Sequence, residues 1–151
     1  MAELRQYDSL KVVGAWTTPT PLGTIDILDG VISGDFVSIE TDNDAWSREY
    51  DEAGNATRVR RHNEGGRVRV TLSASSPTNA KLSKAAILDG QTESVVGSLV
   101  IRDLNGNTVV ECDGAFLADI PDFSLGSDRG SRTWVWECAA IRQFIGGHDL
   151  A

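Results

Sequence analysis

The chain of 151 residues carries 14 lysine and arginine residues against 22 aspartate and glutamate residues, a net charge of −8 at neutral pH. This acidity argues against wrapping of a nucleic acid, which requires clustered cationic side chains. Its 40% hydrophobic content predicts one domain, residues 1–151, with its own core and no membrane binding, because no apolar segment is long enough to cross a bilayer. The absence of a signal-like stretch at residues 1–8 predicts that the protein is made and kept in a cytoplasm.

Short alternating segments and frequent turn residues indicate a mainly β protein. The first clear strand, residues 36–40, alternates polar with apolar side chains and places Val37 and Ile39 on its core face. Residues 67–72 repeat this pattern and place Val68, Val70 and Leu72 in the core. We therefore predict strands that bury one face.

The segment from Asp42 to Gly66, between these two strands, is polar and has its turn residues Gly54 and Asn55 near the middle. This pattern predicts a long projecting hairpin, which we call the hairpin arm. Acidic residues concentrate in its first half and arginines in its second half. Two interpretations remain open: cross-strand ion pairs in a solvated flap, or an arm that docks on a neighbouring subunit. The candidate interface residues are Asp42, Asp44, Trp46, Arg48, Tyr50, Arg58, Arg60 and Arg61.

A single helix is predicted after the second strand, from Pro77 to Asp89. Ser76 is a suitable cap, Pro77 suits the first turn, and Gly90 marks the expected end. An apolar stripe along this helix should cover one sheet. It consists of Leu82, Ala85 and Ala86.

The second half of the chain predicts two further structural features. Residues 99–102 and 108–112 flank Asn105-Gly106, which predicts a hairpin with a type I′ turn. Residues 132–138 then alternate so that Trp134, Trp136 and Cys138 share one face, which we assign to the core. Cys112 and Cys138 fit neither a zinc set nor a secreted disulfide framework, so buried free thiols are expected.

The sequence contains no recognisable catalytic or cofactor motif. His62 and His148 have no companion at ligand or triad spacing, and no phosphate loop, dinucleotide fingerprint or nucleophile elbow occurs. Asp42-Asn43-Asp44 begins like a calcium loop, but the glycine and glutamate of an EF-hand do not follow. We expect no enzyme activity, no cofactor and no metal.

Several segments, by their order and spacing along the chain, together resemble one known family, the small tail tube proteins of contractile-tailed bacteriophages. The resemblance runs from residue 35 to the end of the chain and is weaker over residues 14–34. It is carried by residues 35–40 and 42–46, Gly54, residues 57–60, 63–72, 75–79, 82–83 and 99–106, then Pro121 and residues 132–134 and 138–147. At the position where the family often has Asp-Arg-Ser-Gly, this chain has Asn63-Glu64-Gly65-Gly66.

The resemblance implies two packed antiparallel sheets with a flanking helix, assembled into hexameric rings whose inner sheets join in a continuous barrel. Rings would stack head to tail into the tail tube, with the hairpin arm as the contact between rings. The implied partners are further copies of the chain, the tail sheath, baseplate and terminator proteins, and double-stranded DNA that passes without specific binding. The implied location is the tail of a virion that is assembled in the host cytoplasm.

The polar faces of the strands supply candidates for the wall of the channel, because alternation groups side chains by face. They are Glu40, Glu111 and Glu137. An acidic wall would offer a passing DNA duplex few contacts. Three other functions remain open at this point: a tube protein of a contractile secretion or injection system, a tail terminator or head-completion protein, and a lectin-like binding module.

Overall fold

The computed structural model describes residues 2–19 and 21–151, which form a β protein with one α-helix. A short 3-10 helix (Ser9–Lys11) precedes the first strand. The strands are β1 (Val12–Thr17), β2 (Thr24–Asp26), β3 (Val37–Thr41), β4 (Trp46–Tyr50), β5 (Ala56–Arg60), β6 (Gly66–Ser73), β7 (Gly97–Asp103), β8 (Val109–Leu117), β9 (Ser131–Cys138) and β10 (Ala140–Phe144). The helix α1 (Thr78–Thr92) lies between β6 and β7.

Eight of these strands form a continuous antiparallel sheet that folds into two layers. Its order is β2-β1-β7-β8-β9-β6-β3, and β10 pairs with the first half of β8. The fold occurs within β8, whose first half pairs with β7 and β10 and whose end pairs with β9. Gly114 lies at this corner with φ +61°, where the register between β7 and β8 shifts. A bulge of this kind lets one strand serve both layers.

The core lies between the two layers and confirms the predicted inward faces. Val68, Val70 and Leu72 of β6 are fully buried, and Trp134, Trp136 and Cys138 of β9 are also buried. Val37 and Ile39 are partly buried against the core. Trp16 of β1 meets Trp136 of the other layer edge to face, with ring centroids 5.8 Å apart. The predicted fold class, two packed antiparallel sheets with one helix, is confirmed.

The helix covers the core with its predicted apolar stripe but ends later than its sequence indicated. Leu82 and Ala85 are buried, and Ala86 packs against the core. Ser76 Oγ accepts a hydrogen bond from the Thr78 N–H at 3.3 Å, as expected of a cap. Gly90 does not end the helix, which continues to Thr92 and closes at Glu93 in the left-handed conformation with φ +56°. A glycine inside a helix lowers its stability without terminating it.

The predicted hairpin around Asn105-Gly106 exists, but its turn is not type I′. Strands β7 and β8 are antiparallel neighbours, whereas neither Asn105 nor Gly106 has a positive φ. Asn105 is instead buried and joins the loop to the N-terminal segment, because its side chain exchanges two hydrogen bonds of 2.8 Å with the Asp8 backbone. Gly106 is needed for close approach, since a Cβ there would overlap the Gly147 carbonyl oxygen. A long-range contact therefore determines this turn.

Candidate assembly surfaces

The hairpin arm projects from the folded sheet as a separate two-stranded ribbon. Strands β4 and β5 pair only with each other in the described chain. The arm begins where the Asp42 N–H donates to the Gly65 carbonyl at 3.0 Å, and its strands start after the Arg61 N–H donates to the Ala45 carbonyl at 2.8 Å. An isolated two-stranded hairpin is marginally stable in water. The predicted projecting hairpin is therefore present. The sheet contacts it at its base, where the Ile141 N–H of β10 donates to the Glu64 carbonyl at 2.9 Å, whereas β4 and β5 themselves pair with no other described strand.

The turn of the arm is organised by Asp51. Its carboxylate accepts hydrogen bonds from the Asn55 N–H at 2.8 Å and the Asn55 side-chain amide at 3.0 Å. These bonds, the side-chain one first, lower the pKa of Asp51. Gly54 provides the positive φ of the turn, +86°. The turn residues predicted from sequence are therefore at the tip of the arm.

The register of the arm gathers three of its four arginines on one face, whereas Arg61 follows β5 and is outside this ladder. Trp46 lies opposite Arg60, Arg48 opposite Arg58, and Tyr50 opposite Ala56. Residues directly opposite each other in a ladder share a face. Trp46, Arg48, Tyr50, Arg58 and Arg60 therefore form one exposed surface, which we call the arginine face. Glu49 lies on the other face, and Asp42, Asp44 and Asp51 lie at the base and tip.

Cross-strand ion pairs, one of the two interpretations of the arm, do not occur between the described residues of β4 and β5. The ion pairs of the described chain lie elsewhere. The arginines contact the aromatic rings instead. The Arg58 guanidinium carbon lies 3.5 Å from the centroid of Trp46, that of Arg60 lies 5.4 Å from it, and that of Arg48 lies 5.3 Å from the centroid of Tyr50. The arginine face thus carries cations with no carboxylate partner.

The three glutamates predicted for the channel wall lie on the outer surface of the folded sheet, and each is paired with an arginine. Glu40 contacts Arg69 at 2.7 Å, Glu137 contacts Arg67 at 2.7 Å, and Glu111 is 3.7 Å from Arg142. The hydrogen bond from Arg69, and then its charge, lowers the pKa of Glu40.

Their positions along the sheet differ. Glu40 and Glu137 flank Arg67 in register across β3, β6 and β9, whereas Glu111 lies beyond the corner at Gly114. The outer surface thus alternates in charge around these glutamates rather than being uniformly acidic.

Strand β3 leaves a row of backbone groups without partners in the described chain. The Thr71 N–H donates to the Phe36 carbonyl at 2.9 Å, and the Asp42 N–H donates to the Gly65 carbonyl at 3.0 Å. Antiparallel alternation therefore directs the N–H and C=O groups of Val37, Ile39 and Thr41 away from β6. Because β3 ends the strand order, this edge is available to another strand.

The two ends of the β3-β6-β9 layer differ in charge and shape. The hairpin arm joins Thr41 to Gly66 at one end. At the opposite end, Ser73 pairs with Ser131, the residue that follows the loop of residues 118–130. This loop, which we call the acidic loop, has no helix or strand and exposes Asp119, Asp122, Asp128, Phe123 and Leu125. The layer therefore has two different ends, one that carries the arm and one that carries the acidic loop.

Both cysteines are buried and free, as their alternation predicted. Their contact with each other, and then burial, raises the pKa of Cys112 above the ordinary thiol range. A desolvated protonated thiol reacts slowly. The cysteines therefore belong to the core packing and not to an exposed site.

Sequence reasoning missed the junction of the two terminal segments. Arg5 bridges Leu150, and the Gln6 N–H donates to the Asp149 carbonyl at 3.3 Å. His148 has spatial companions that its spacing did not reveal, because its ring stacks on Tyr7 at 4.8 Å and its Nε2 lies 3.4 Å from Asp103. Residues so distant in sequence give no local signal.

The described residues contain no group of three or more His, Cys, Asp or Glu side chains placed to hold a metal ion. In this part of the chain, no helix combines the length and apolar content needed to cross a bilayer. The arginine face, the β3 edge and the acidic loop are surfaces of a kind that suits contacts with other protein chains.

Comparison of the sequence with protein-family models finds no match. The chain is 28% identical over 115 residues to structural protein ORF10 of Pseudomonas phage KPP10. The aligned region covers 75% of this chain and 66% of that protein, so the match leaves about a third of the relative uncovered.

Solved structures share the fold across nearly the whole chain. A subunit of the anti-feeding prophage cap, described as a tube-terminating cap, aligns over 97% of this chain and 95% of its own, with a TM-score of 0.60 and 11% identity. A subunit of the sheath-tube complex of the extracellular contractile injection system PVC aligns over 92% of this chain and 91% of its own, with a TM-score of 0.57 and 14% identity. The predicted resemblance is thus confirmed: this chain is similar in sequence to a phage structural protein and has the fold of subunits from contractile injection systems and their relatives.

Proposed function

We propose that this chain, acting as one domain, is a structural subunit of the tail tube of a contractile phage tail. In this proposal it forms hexameric rings that stack head to tail, and it resides in the virion tail, in keeping with its similarity to a phage structural protein. It acts without catalysis, cofactor or metal. Its partners are further copies of itself, the sheath, the baseplate and the terminator, and DNA passes through the channel without specific binding.

The observation that carries this proposal is the unpaired edge of β3. An edge strand that presents free N–H and C=O groups favours pairing with another strand, and closure into a ring removes all such edges. The separate hairpin arm agrees with stacking, because it needs a partner surface to be stable. A contact between different surfaces of identical subunits does not close along the tube axis and generates a filament.

A terminator that forms one ring at the end of a tube is the second candidate. This candidate is supported by the similarity in fold to the tube-terminating cap. The TM-score with the cap subunit is 0.60, and that with the sheath-tube subunit is 0.57. Both functions use ring closure, but only a tube subunit continues to stack on itself. The number of rings that the purified protein forms therefore distinguishes the two candidates.

For the channel wall, we propose the outer surface of the β3-β6-β9 layer, with Glu40 and Glu137. Glu111 lies beyond the corner at Gly114, in the part of β8 that pairs with β7 and β10, so it is not part of this surface. Glu40 and Glu137 are held by their arginine partners. Paired charges leave few free cations for phosphate, which agrees with DNA passage without retention.

Electron microscopy of the purified protein at increasing concentration tests the proposal. We expect hollow tubes of stacked six-subunit rings. Single rings that never stack would instead support the terminator, and a protein that remains monomeric at every concentration would contradict both candidates.

A pair of variants at one position tests the role of the β3 edge. Ile39→Pro removes an outward N–H and should leave a folded subunit that forms no rings. Ile39→Ala is the matched control, because it also shortens the side chain but keeps the N–H, and it should form rings. Equal assembly of the two variants would show that the β3 edge is not the contact within the ring.

A further inference from the structure

We propose that the arginine face of the hairpin arm docks on the acidic loop of a second copy in the next ring. This inference rests on the proposed function and names the surface that receives the arm. It follows from three properties of the described residues. The arginines of the arm have no carboxylate partner, the arm and the acidic loop lie at opposite ends of one sheet layer, and the loop exposes both carboxylates and apolar side chains.

The arginine face is arranged to bind carboxylates. Arg48 and Arg58 lie directly opposite each other, a like-charge pair that destabilises a ladder unless an anion approaches. Arg58 stacks on Trp46 at 3.5 Å. Stacking covers the flat surface of a guanidinium and leaves its N–H donors free at the edge, where they can bind a carboxylate through two hydrogen bonds. Trp46 and Tyr50 are 42% and 61% exposed, so a partner would also bury aromatic surface.

The acidic loop and the arm lie at opposite ends of the layer, so the loop is placed where the arm of a stacked ring would reach it. The arm extends from the end of the layer formed by Thr41 and Gly66, and the acidic loop lies at the end formed by Ser73 and Ser131. When identical subunits stack head to tail, the first end of one ring faces the second end of the next. With the strands of this layer running along the tube axis, as the proposed function requires, head-to-tail stacking brings the arm of one subunit to the acidic loop of the next.

The acidic loop complements the arginine face in both charge and apolar surface. It carries Asp119, Asp122 and Asp128 against Arg129, and it exposes Phe123 and Leu125 at 65% and 83%. Arg132 lies 5.2 Å from the centroid of Phe123 and holds this ring beside the sheet. Carboxylates beside an apolar surface suit a partner that combines arginines with Trp46 and Tyr50.

DNA is the other anion that an arginine and aromatic surface could bind, and the charges of the arm argue against it. Asp42 and Asp44 at the base and Asp51 and Glu52 at the tip flank the arginine face. These carboxylates would repel an extended phosphate backbone but would not prevent contact with a compact loop. A protein loop of a second copy is therefore the occupant that the charges favour.

A charge exchange between the two surfaces tests the proposal in the full-length protein. The arm variant replaces Arg48, Arg58 and Arg60 with Asp, the loop variant replaces Asp119, Asp122 and Asp128 with Arg, and the exchange variant carries both sets. Glu49→Lys is the control, because Glu49 lies on the opposite face of the same ribbon. Sedimentation and electron microscopy measure the concentration needed for tube formation, and thermal melting measures folding of each subunit.

We expect the arm and loop variants to raise this concentration at least about tenfold, in line with close charge pairs at interfaces. The exchange variant should return it to within about threefold of the wild type, and Glu49→Lys should leave it unchanged. All the substituted side chains are exposed, so melting temperatures should stay close to that of the wild type.

Three outcomes would overturn the docking. The first is an arm variant that assembles like the wild type, and the second is a folded exchange variant that assembles no better than the single-surface variants. The third is an arm variant that assembles normally but loses binding to a DNA duplex in a filter assay, which would make DNA the occupant. Wild-type protein that forms no tubes would refute the proposed function itself and the docking with it, whereas wild-type tubes with insensitive variants refute only the docking.

Discussion

The two tryptophans at the centre of the core differ in the hydrogen bonding of their indole N–H groups. Replacement of each by phenylalanine should therefore change the free energy of unfolding by different amounts. Trp16 and Trp136 are both fully buried and face each other edge to face. Trp16 Nε1 donates to the Ala115 carbonyl at 3.2 Å, whereas Trp136 Nε1 is buried without a hydrogen-bond partner. The two substitutions delete the same group of atoms from the same cluster, so they differ mainly in the fate of the indole N–H.

The expected difference follows from these contacts. Each substitution leaves roughly 40 Å³ of space, a shared cost of about 1 kcal/mol at ~24 cal/mol per Å³. Trp16→Phe also loses a hydrogen bond with a net contribution of about 1 kcal/mol, while Trp136→Phe removes an unpaired buried donor that costs about 1–3 kcal/mol. The free energy of unfolding should therefore be lower for Trp16→Phe than for Trp136→Phe by about 2–4 kcal/mol.

Urea unfolding of the unassembled subunit, followed by circular dichroism, measures this difference. The two variants should have equal m-values and different midpoints, because the exposed surface on unfolding is nearly the same. Trp134→Phe provides a control, since Trp134 Nε1 donates to Asn79 Oδ1 at 2.9 Å and its loss should resemble that of Trp16. Equal destabilisation by Trp16→Phe and Trp136→Phe would refute the reasoning.

Three further predictions concern backbone, thiols and the arm. Gly97→Ala should abolish soluble expression, because a Cβ there would overlap a backbone carbonyl of β1, whereas Gly90→Ala, with open space around it, should raise the free energy of unfolding by about 0.5–1 kcal/mol in thermal melts. Cys112 and Cys138 should react with a thiol reagent at least roughly a hundredfold more slowly in the native subunit than in urea, because both thiols are buried in the core and inaccessible to the reagent; a fast native reaction would contradict this. The depressed pKa of Asp51 means that its ionised form stabilises the turn of the arm above the pKa of the unfolded chain and that this support is lost as pH falls through the folded value. NMR of the unassembled subunit should therefore show that acidification disorders the turn of the arm in the wild type. Asp51→Asn, which has no titrating carboxylate at this position, should have a less ordered turn at neutral pH and show no such transition; a wild-type turn that stays ordered in acid would contradict this.

Local sequence patterns were sufficient to predict strands β3, β6, β7, β8 and β9, the helix and the arm, but not β1, β2 and β10. Alternation with period two placed Val68, Val70, Leu72, Trp134 and Trp136 in the core, because a strand between a core and solvent must separate its two faces. The polar composition of the arm, with glycine at its centre, likewise predicted a ribbon that leaves the sheet. These features depend on residues that are neighbours in the chain.

The surfaces of the arm could not be predicted from composition alone. The grouping of acidic and basic residues by strand suggested ion pairs, but the register places Arg48 opposite Arg58 and leaves the aspartates at the base and tip. A shift of one residue in register would exchange the two faces, and the turn that sets this register depends on contacts of the Asp51 and Asn55 side chains.

What the sequence by itself determined is therefore the type and order of most elements between residues 36 and 138 and the side chains that these elements bury. The tertiary structure alone decided which distant residues meet. Asn105, predicted only as a turn residue, hydrogen-bonds to the Asp8 backbone, and His148 contacts Tyr7. The arm and the acidic loop lie at opposite ends of one layer. The physical reason is that burial acts on each strand separately and leaves a local pattern, whereas contacts across the fold depend on how the strands pair, which no local pattern encodes.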